Sequence, residues 1–483
     1  MPLTTRLFAA VIALLLFFAL RLALLDAVPP FIDEAFLHST AEAIPANSPL
    51  YRSGEGRLFA GWYWFAMQTP HSATFFMGRV ANTLVIVLGV AAAMAIAYGI
   101  TRRLWAIPLT VIVFGFSRYL TFFDAFGNTE PLFTGVMLAV LAVTLRLRSR
   151  AHWRDAVVVG ALLFIAVGVK LNALPYAFIP VAGVVALKPP GRSWRQQLTW
   201  GVVALGVFGV LFGGLLAVQQ WRGYDPLFHL LDPSSGGGGA FDSLVPRTLE
   251  IAGGLATYGG VVWLSLVLAA MIVLLVRREF YLLLAVGVPF LTLWRAGKYF
   301  TRYLYPNMAS LLLIAVVGVG YLLPRRTRLA GAVTVMLLAY GAADWYVFTV
   351  AMREAPETVL VARDFAEHYA ADGSGAGLEA VLAVATERQP ERVVGMLANC
   401  AALAYMAGDA ITVECPRVSP SGEDVEPLAQ LAGDLRGQDV LVVLEDIPYV
   451  PESIPGMVIA TVERPGGLTT LRVIDMAGGA PDV

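Results

Sequence analysis

The spacing of the apolar runs constrains this chain more than any other feature. Eleven such runs fall at residues 7–25, 80–100, 105–123, 131–145, 156–169, 171–187, 198–218, 251–275, 280–295, 304–323 and 329–350. A helix needs about 20 apolar residues to cross a bilayer, so the series predicts a polytopic α-helical membrane protein of about 11 spans. Composition agrees: 58% of the residues are hydrophobic and 14% are charged, against about 45–50% and 25% in an ordinary soluble domain. A soluble enzyme is excluded. The fifth and sixth runs are short and leave open a single broken hairpin. The first run, after Arg6, exceeds the roughly 7–15 apolar residues of a cleavable signal and is expected to remain as a span.

The net charge of −1 hides a strong asymmetry. Residues 351–483 hold 8 Arg against 21 acidic residues, a net of −13, whereas the first 350 carry +12. A membrane domain over 1–350 and an acidic extracytoplasmic domain over 351–483 are therefore expected. Alternate loops carry Arg102 and Arg103; Arg146, Arg148, Arg150 and Arg154; Lys188, Arg192 and Arg195; Arg277 and Arg278; and Arg325, Arg326 and Arg328. With Arg6 these make 15 positive charges against two acids, Asp155 and Glu279. Basic loops stay cytoplasmic, so the N-terminus is expected inside and the tail outside, in a multi-pass cell membrane protein. No basic stripe is interleaved with aromatics, which argues against a nucleic-acid partner.

The first outer loop, residues 26–78, has Phe36, Leu37, Thr40, Ala41 and Ile44 on one helical face and an aromatic cluster from Phe59 to Phe65. Both suit helices lying in the membrane interface, and a lid packed on the spans is the alternative. A second long loop, 219–250, contains Gly236–Gly239 and reads as mobile. The tail reads as a small α/β domain. Its expected strands are 380–385, 410–413, 440–444, 458–462 and 469–474, and its expected helices 357–371, 399–407 and 424–435. Cys400 and Cys415, the only cysteines, leave open a disulfide or two thiols.

Charges at the membrane edge are costly and each asks for a reason. Asp33 and Glu34 follow Pro29-Pro30 where the first span ends. Asp124 and Glu130 stand in the turn between the third and fourth spans. Lys170 sits between two short apolar runs, and Arg295, Lys298 and Arg302 precede the tenth. Helix capping by Asp33-Glu34 or Glu130, and snorkelling by Lys170, are the plainer readings. Together, however, four carboxylates and four cations at one membrane face suit transfer from a lipid phosphate. Such a reaction needs positive charge for the leaving group and a carboxylate base for the nucleophile. Among metal or nucleotide signatures, no His/Cys cluster, Walker loop, dinucleotide fingerprint or nucleophile elbow is present.

The residues now resemble a family. Pro29-Pro30-Phe31-Ile32-Asp33-Glu34-Ala35 resembles the acidic first-loop motif of GT-C integral-membrane glycosyltransferases, in the branch of protein O-mannosyltransferases and lipid A aminoarabinose transferases. Gly78-Arg79-Val80-Ala81-Asn82, Thr129-Glu130-Pro131-Leu132, Gly168-Val169-Lys170-Leu171-Asn172-Ala173-Leu174-Pro175 and Arg302-Tyr303-Leu304-Tyr305-Pro306 resemble four further segments of that family in order. The tail segment from Asn399 to Gly408 is similar to its extracytoplasmic domain. The resemblance implies an inverting transfer from a polyprenyl-phosphate-linked sugar to a lipid, glycan or protein acceptor, beside membrane lipids. It assigns Asp33 as general base with Glu34 as neighbour or alternate. Lys170, Arg302 and Lys298 would hold the donor phosphate, with Asp124, Glu130, Arg79 and Tyr303 in support. No cofactor is required, since Lys and Arg could supply the neutralisation that a divalent metal gives elsewhere; a divalent metal is left open but not indicated. The family's prolines are missing around Arg57. A transporter or lipid flippase is the rival function, although the polar residues gather toward one face and no repeat is evident.

Overall fold

A computed structural model describes residues 3–35, 75–189, 191–221, 244–295, 301–323, 327–371, 373–418 and 425–477. Both proposed interfacial segments of the first loop, the four-glycine run, Arg57 and Lys298 lie outside the described residues. The chain divides into two compact units. Among the described residues the larger takes 3–24 and 80–350, and the second takes 25–35, 75–79 and 351–477.

Each of the eleven apolar runs is helical. The helices are α1 (Leu3–Leu22), α2 (Phe76–Thr101), α3 (Ala106–Gly115), α4 (Arg118–Asp124), α5 (Thr129–Thr144), α6 (Trp153–Val169), α7 (Phe178–Ala186), α8 (Trp194–Trp221), α9 (Leu244–Val276), α10 (Phe280–Arg295), α11 (Tyr305–Leu322) and α12 (Thr327–Glu354). Among the described residues, six helices are each long and apolar enough to cross a membrane, and α3 with α4 makes a seventh if joined. The protein is a multi-pass helical membrane protein. α11 is apolar on every side and is buried from Tyr305 to Gly320, as a helix without a polar face must be. Around it, small residues let backbones approach closely. A Cβ on Gly318 would stand 2.3 Å from that of Ala270. Val202, Val210 and Val261, by contrast, are exposed apolar side chains, the outward face expected against lipid.

The third run differs from expectation. It is two helices bent by 68° rather than one straight span. Ser117 caps the second piece by accepting from the Leu120 N–H. The break frees the carbonyls at the end of α3, and a buried cation meets them, as the site below shows.

The tail folds into a five-stranded sheet of β1 (Arg392–Met396), β2 (Val413–Glu414), β3 (Val440–Glu445), β4 (Met457–Glu463) and β5 (Thr470–Asp475), in the order β2-β1-β3-β5-β4. β2, β1 and β3 run parallel, while β5 is antiparallel to both β3 and β4. Successive strand residues alternate faces. Val393, Leu441, Val443, Leu471 and Val473 pack with helices α13 (Leu378–Arg388) and α14 (Cys400–Ala407). Val394, Met396, Val440, Val442 and Ile474 pack with α15 (Val425–Asp434). Residues 380–385, expected as a strand, are helical within α13. Leu378, Val381 and Ala385 are its buried positions, a spacing that fits one helix face. The missed strand is β1, where Gly395 leaves room for Cys400: a Cβ there would stand 2.4 Å from its Sγ. The expected 357–371 helix is broken into short 3-10, α and π turns. Cys400 and Cys415 form a disulfide, with Cα atoms 5.7 Å apart.

Candidate functional site

In the larger unit, two charged groups sit at helix breaks. The first is built on the bend between α3 and α4. Arg21, from α1, donates to the Gly115 and Phe114 carbonyls at 2.8 Å each, two acceptors that the break deprives of helical partners. Backbone left open at membrane depth must be satisfied by something, and here a guanidinium does it. Arg21 Nε lies 2.6 Å from Asp124 Oδ2, and the side chains are 1% and 0% exposed. A further N–H donates to Thr121 Oγ1 at 2.9 Å. Tyr305, opening α11, donates its hydroxyl to the other Asp124 oxygen. Every oxygen of Asp124 is occupied.

The second break lies between α6 and α7. Lys170 ends α6 with extended backbone (φ −155°, ψ 123°), and residues Leu171–Ala177 form a 3-10 helix containing Pro175. The Lys170 ammonium pairs with Glu130 in the first turn of α5. Arg302, in the 3-10 turn Thr301–Leu304 before α11, also acts electrostatically on the Glu130 carboxylate. The Tyr303 ring centroid lies 4.7 Å from Lys170 Nζ and 5.7 Å from the Arg302 guanidinium carbon, within cation–π reach of both. The Tyr119 hydroxyl holds the turn by donating to the Thr301 carbonyl at 2.6 Å. Arg302 and Glu130 are buried, whereas the Lys170 side chain keeps 23% of its surface.

Asp33 and Glu34 belong to the second unit. Arg79 reaches both Glu34 oxygens at 2.8 Å and also donates to the carbonyls of Leu25, Val28 and Pro29. Glu34 Oε2 accepts from the Phe31 N–H at 3.0 Å as well. The carboxylate is fully buried and its lone pairs are spent on local structure. Asp33 is half-buried beside it. The motif is tied into the sheet unit: Phe31 bridges Ser374 in antiparallel fashion, and Ala35 and Phe75 join the core under α13 and α14. Tyr369, whose phenol burial pushes up, donates to the Ala27 carbonyl at 3.3 Å.

Of the residues singled out in the sequence, the structure thus joins Glu34 with Arg79, and Glu130 with Lys170, Arg302 and Tyr303. Asp124 is joined to Arg21 and Tyr305, which sequence reading did not pick. Arg21 reads there as one charge inside a long apolar run, and nothing local points to a partner 103 residues away. Among the described residues, Asp364, Glu367 and His368 bring three potential ligand atoms within 4.8 Å of one another, a grouping the sequence reading also passed over.

No family model matches the sequence, and no curated protein matches it significantly. Solved structures do resemble it. ArnT from Cupriavidus metallidurans gives a TM-score of 0.65 in the apo state and 0.61 bound to undecaprenyl phosphate. Each is 15% identical, over 98% of this chain and 99% of ArnT. The Archaeoglobus fulgidus oligosaccharyltransferase, in complex with Zn and sulfate, gives 0.51 at 12% identity, over 90% of this chain and 68% of that one. The chain has the GT-C fold.

Proposed function

We propose that the protein is an inverting glycosyltransferase that moves a sugar from a polyprenyl-phosphate donor to an acceptor on the extracytoplasmic face. The observation that carries this reading is the likeness in fold to ArnT, bound to undecaprenyl phosphate in one of its structures, across nearly the whole of both chains. The charge distribution supports the topology: 15 basic residues in one set of loops assign the N-terminus to the cytoplasm and the acidic tail to the outside.

In the proposed reaction the acceptor hydroxyl attacks the anomeric carbon and Asp33 takes its proton. The new C–O bond forms as the bond from that carbon to the phosphate oxygen breaks, and the electron pair leaves with polyprenyl phosphate. A single displacement inverts the anomeric centre, as in inverting glycoside chemistry. Glu34, held by Arg79 and the Phe31 N–H, takes the role of neighbour to the base. Lys170 and Arg302 hold the phosphate, with Lys298 as a helper. An ammonium has three protons and Glu130 takes one, so the exposed part of Lys170 has donors to offer. Tyr303 flanks both cations. Glu34 with Arg79, and Asp124 with Arg21, each support the fold of their own unit. The chemistry calls for no resident cofactor, because these cations neutralise the leaving group.

The test is release of undecaprenyl phosphate from a panel of undecaprenyl-phosphate monosaccharides by the full-length protein in detergent, with lipid, glycan and peptide hydroxyl acceptors supplied. Asp33→Asn is expected to slow release by about 10²–10⁴-fold while the protein stays folded. Full activity in that variant overturns the assignment. Movement of intact donor across a sealed bilayer without cleavage points instead to the rival, a transporter.

A further inference from the structure

The buried pair Glu445–Arg464 has no place in the chemistry above, yet the Arg464 guanidinium makes five hydrogen bonds. Both side chains are 0% exposed. Glu445 ends β3, the middle strand of the sheet, and its second oxygen accepts from the Ala398 N–H at 2.9 Å. Arg464 follows β4. Beyond Glu445, its guanidinium donates to three carbonyls of one loop: Ala371 at 2.9 Å, Ser374 at 3.0 Å and Ala376 at 3.2 Å. A buried ion pair is a poor source of stability, since well-packed apolar residues often do as well or better. Its use here is geometric: a planar fork with five N–H donors gathers three carbonyls around the isolated Phe31–Ser374 bridge.

That loop carries the acidic motif. The Gly375 N–H donates to the Pro30 carbonyl at 2.6 Å, and the Ile32 N–H donates to the Gly373 carbonyl at 3.0 Å. Gly373 is pinned in turn by the Asn399 side-chain amide at 3.1 Å. The contact at residue 375 is close enough to exclude any side chain, because a Cβ there would lie 2.5 Å from the Pro30 oxygen. Asp33 is the next residue after Ile32. A continuous series of hydrogen bonds therefore runs from the centre of the sheet to the backbone that presents Asp33.

We infer that Arg464, braced by Glu445, is a positioning residue for Asp33: through the 371–376 loop it sets where the base stands. The acidic tail domain is then part of the catalytic apparatus rather than an appendage. This rests on the assignment of Asp33 as general base, and the tests are chosen to separate the two.

Gly375→Ala adds one methyl group against Pro30 and leaves the sheet untouched. Arg464→Lys keeps a charge for Glu445 but removes the fork that gathers the carbonyls. Both are assayed as full-length protein by undecaprenyl phosphate release, beside Asp33→Asn. Misplacing a catalytic group by about 1 Å costs on the order of 10²-fold. Each variant is expected to lower kcat by about 10–100-fold with the donor KM unchanged within about twofold. Wild-type kcat in both, with Asp33→Asn inactive, overturns the positioning role and leaves the base in place. Full activity of Asp33→Asn overturns the base itself. Because an inactive fraction also lowers kcat at constant KM, kcat is referred to the folded, monodisperse fraction read by size-exclusion chromatography and thermal melting. A fall in kcat accounted for by loss of that fraction counts against positioning. Should Arg464→Lys fail to fold, Gly375→Ala decides.

Discussion

The two broken spans of the larger unit solve one problem in opposite ways. Both interrupt a helix in apolar surroundings and both place a cation beside a carboxylate at the break. At the α3–α4 bend the account is closed. Arg21 has two carbonyls, a hydroxyl and Asp124, and Asp124 has Arg21 and Tyr305. At the α6–α7 break it is open, because Glu130 takes one proton of an ammonium that keeps part of its surface. A fully satisfied buried pair can only hold structure. A cation that gives one of its protons to Glu130 among the described residues and keeps part of its surface, beside a second cation and an aromatic ring, can receive an anion. On the proposed reading, satisfaction of hydrogen bonds, more than the presence of charge, is what separates the two breaks.

The sharpest way to break this comparison is Arg21→Met. It leaves Asp124 and two helix-end carbonyls buried without their cation, and losing one partner of such a pair costs about 3–5 kcal/mol. Little folded protein should be recovered in detergent, as read by size-exclusion chromatography and thermal melting. A wild-type melt would mean that the bend does not depend on Arg21. The counterpart is the double variant Lys170→Met with Glu130→Gln, which removes the ion pair at the open break and leaves Arg302. Its melting temperature should stay close to wild type, while undecaprenyl phosphate release falls by about 10²–10³-fold, the usual loss when a charge-stabilising donor is removed. If the melt collapses and the surviving protein is active, the two breaks are alike and the distinction fails.

How far the sequence reveals this difference depends on the range of the interactions. Lys170 stands out because it interrupts an apolar run beside Asn172 and Pro175, so the break is visible within six residues. The α3–α4 bend is hidden: Gly115-Phe116-Ser117-Arg118 continues an apolar run, and what stabilises the bend comes from α1. In the tail, strands with alternating or continuous β-branched residues, such as β3 and β5, are legible at close to their true bounds. Residues 378–388 are Ala-rich with valines interspersed, and helical burial rather than local propensity decides them. The Cys400–Cys415 pairing needed the fold, since β1, β2 and α14 bring the two residues together. The acidic motif at 29–35 is recognisable from its residues. Its attachment to residues 373–375, more than 300 positions later, is not.

A milder variant asks whether the closed group is held by all its members. Tyr305→Phe removes the hydroxyl donated to Asp124 and leaves Arg21 in place. A hydrogen bond to a charged group contributes about 1.5–3 kcal/mol, so the melt should drop measurably while release of undecaprenyl phosphate by the folded fraction is kept. Loss of activity without loss of stability would move Asp124 and Tyr305 from scaffold to chemistry and blur the line between the two breaks.

The smallest effect sharpens the open side. The Tyr303 ring lies within cation–π distance of Lys170 and Arg302, so on the proposed reading part of its contribution is to keep two like charges close enough to share one phosphate. Tyr303→Phe retains the ring face and Tyr303→Leu does not. At about 0.5–1 kcal/mol for a partly exposed contact, the donor KM should be about two- to fivefold higher in the Leu variant than in the Phe variant, with kcat little changed. Equal KM values would mean that the ring serves only as packing and does not help to hold Lys170 and Arg302 in place.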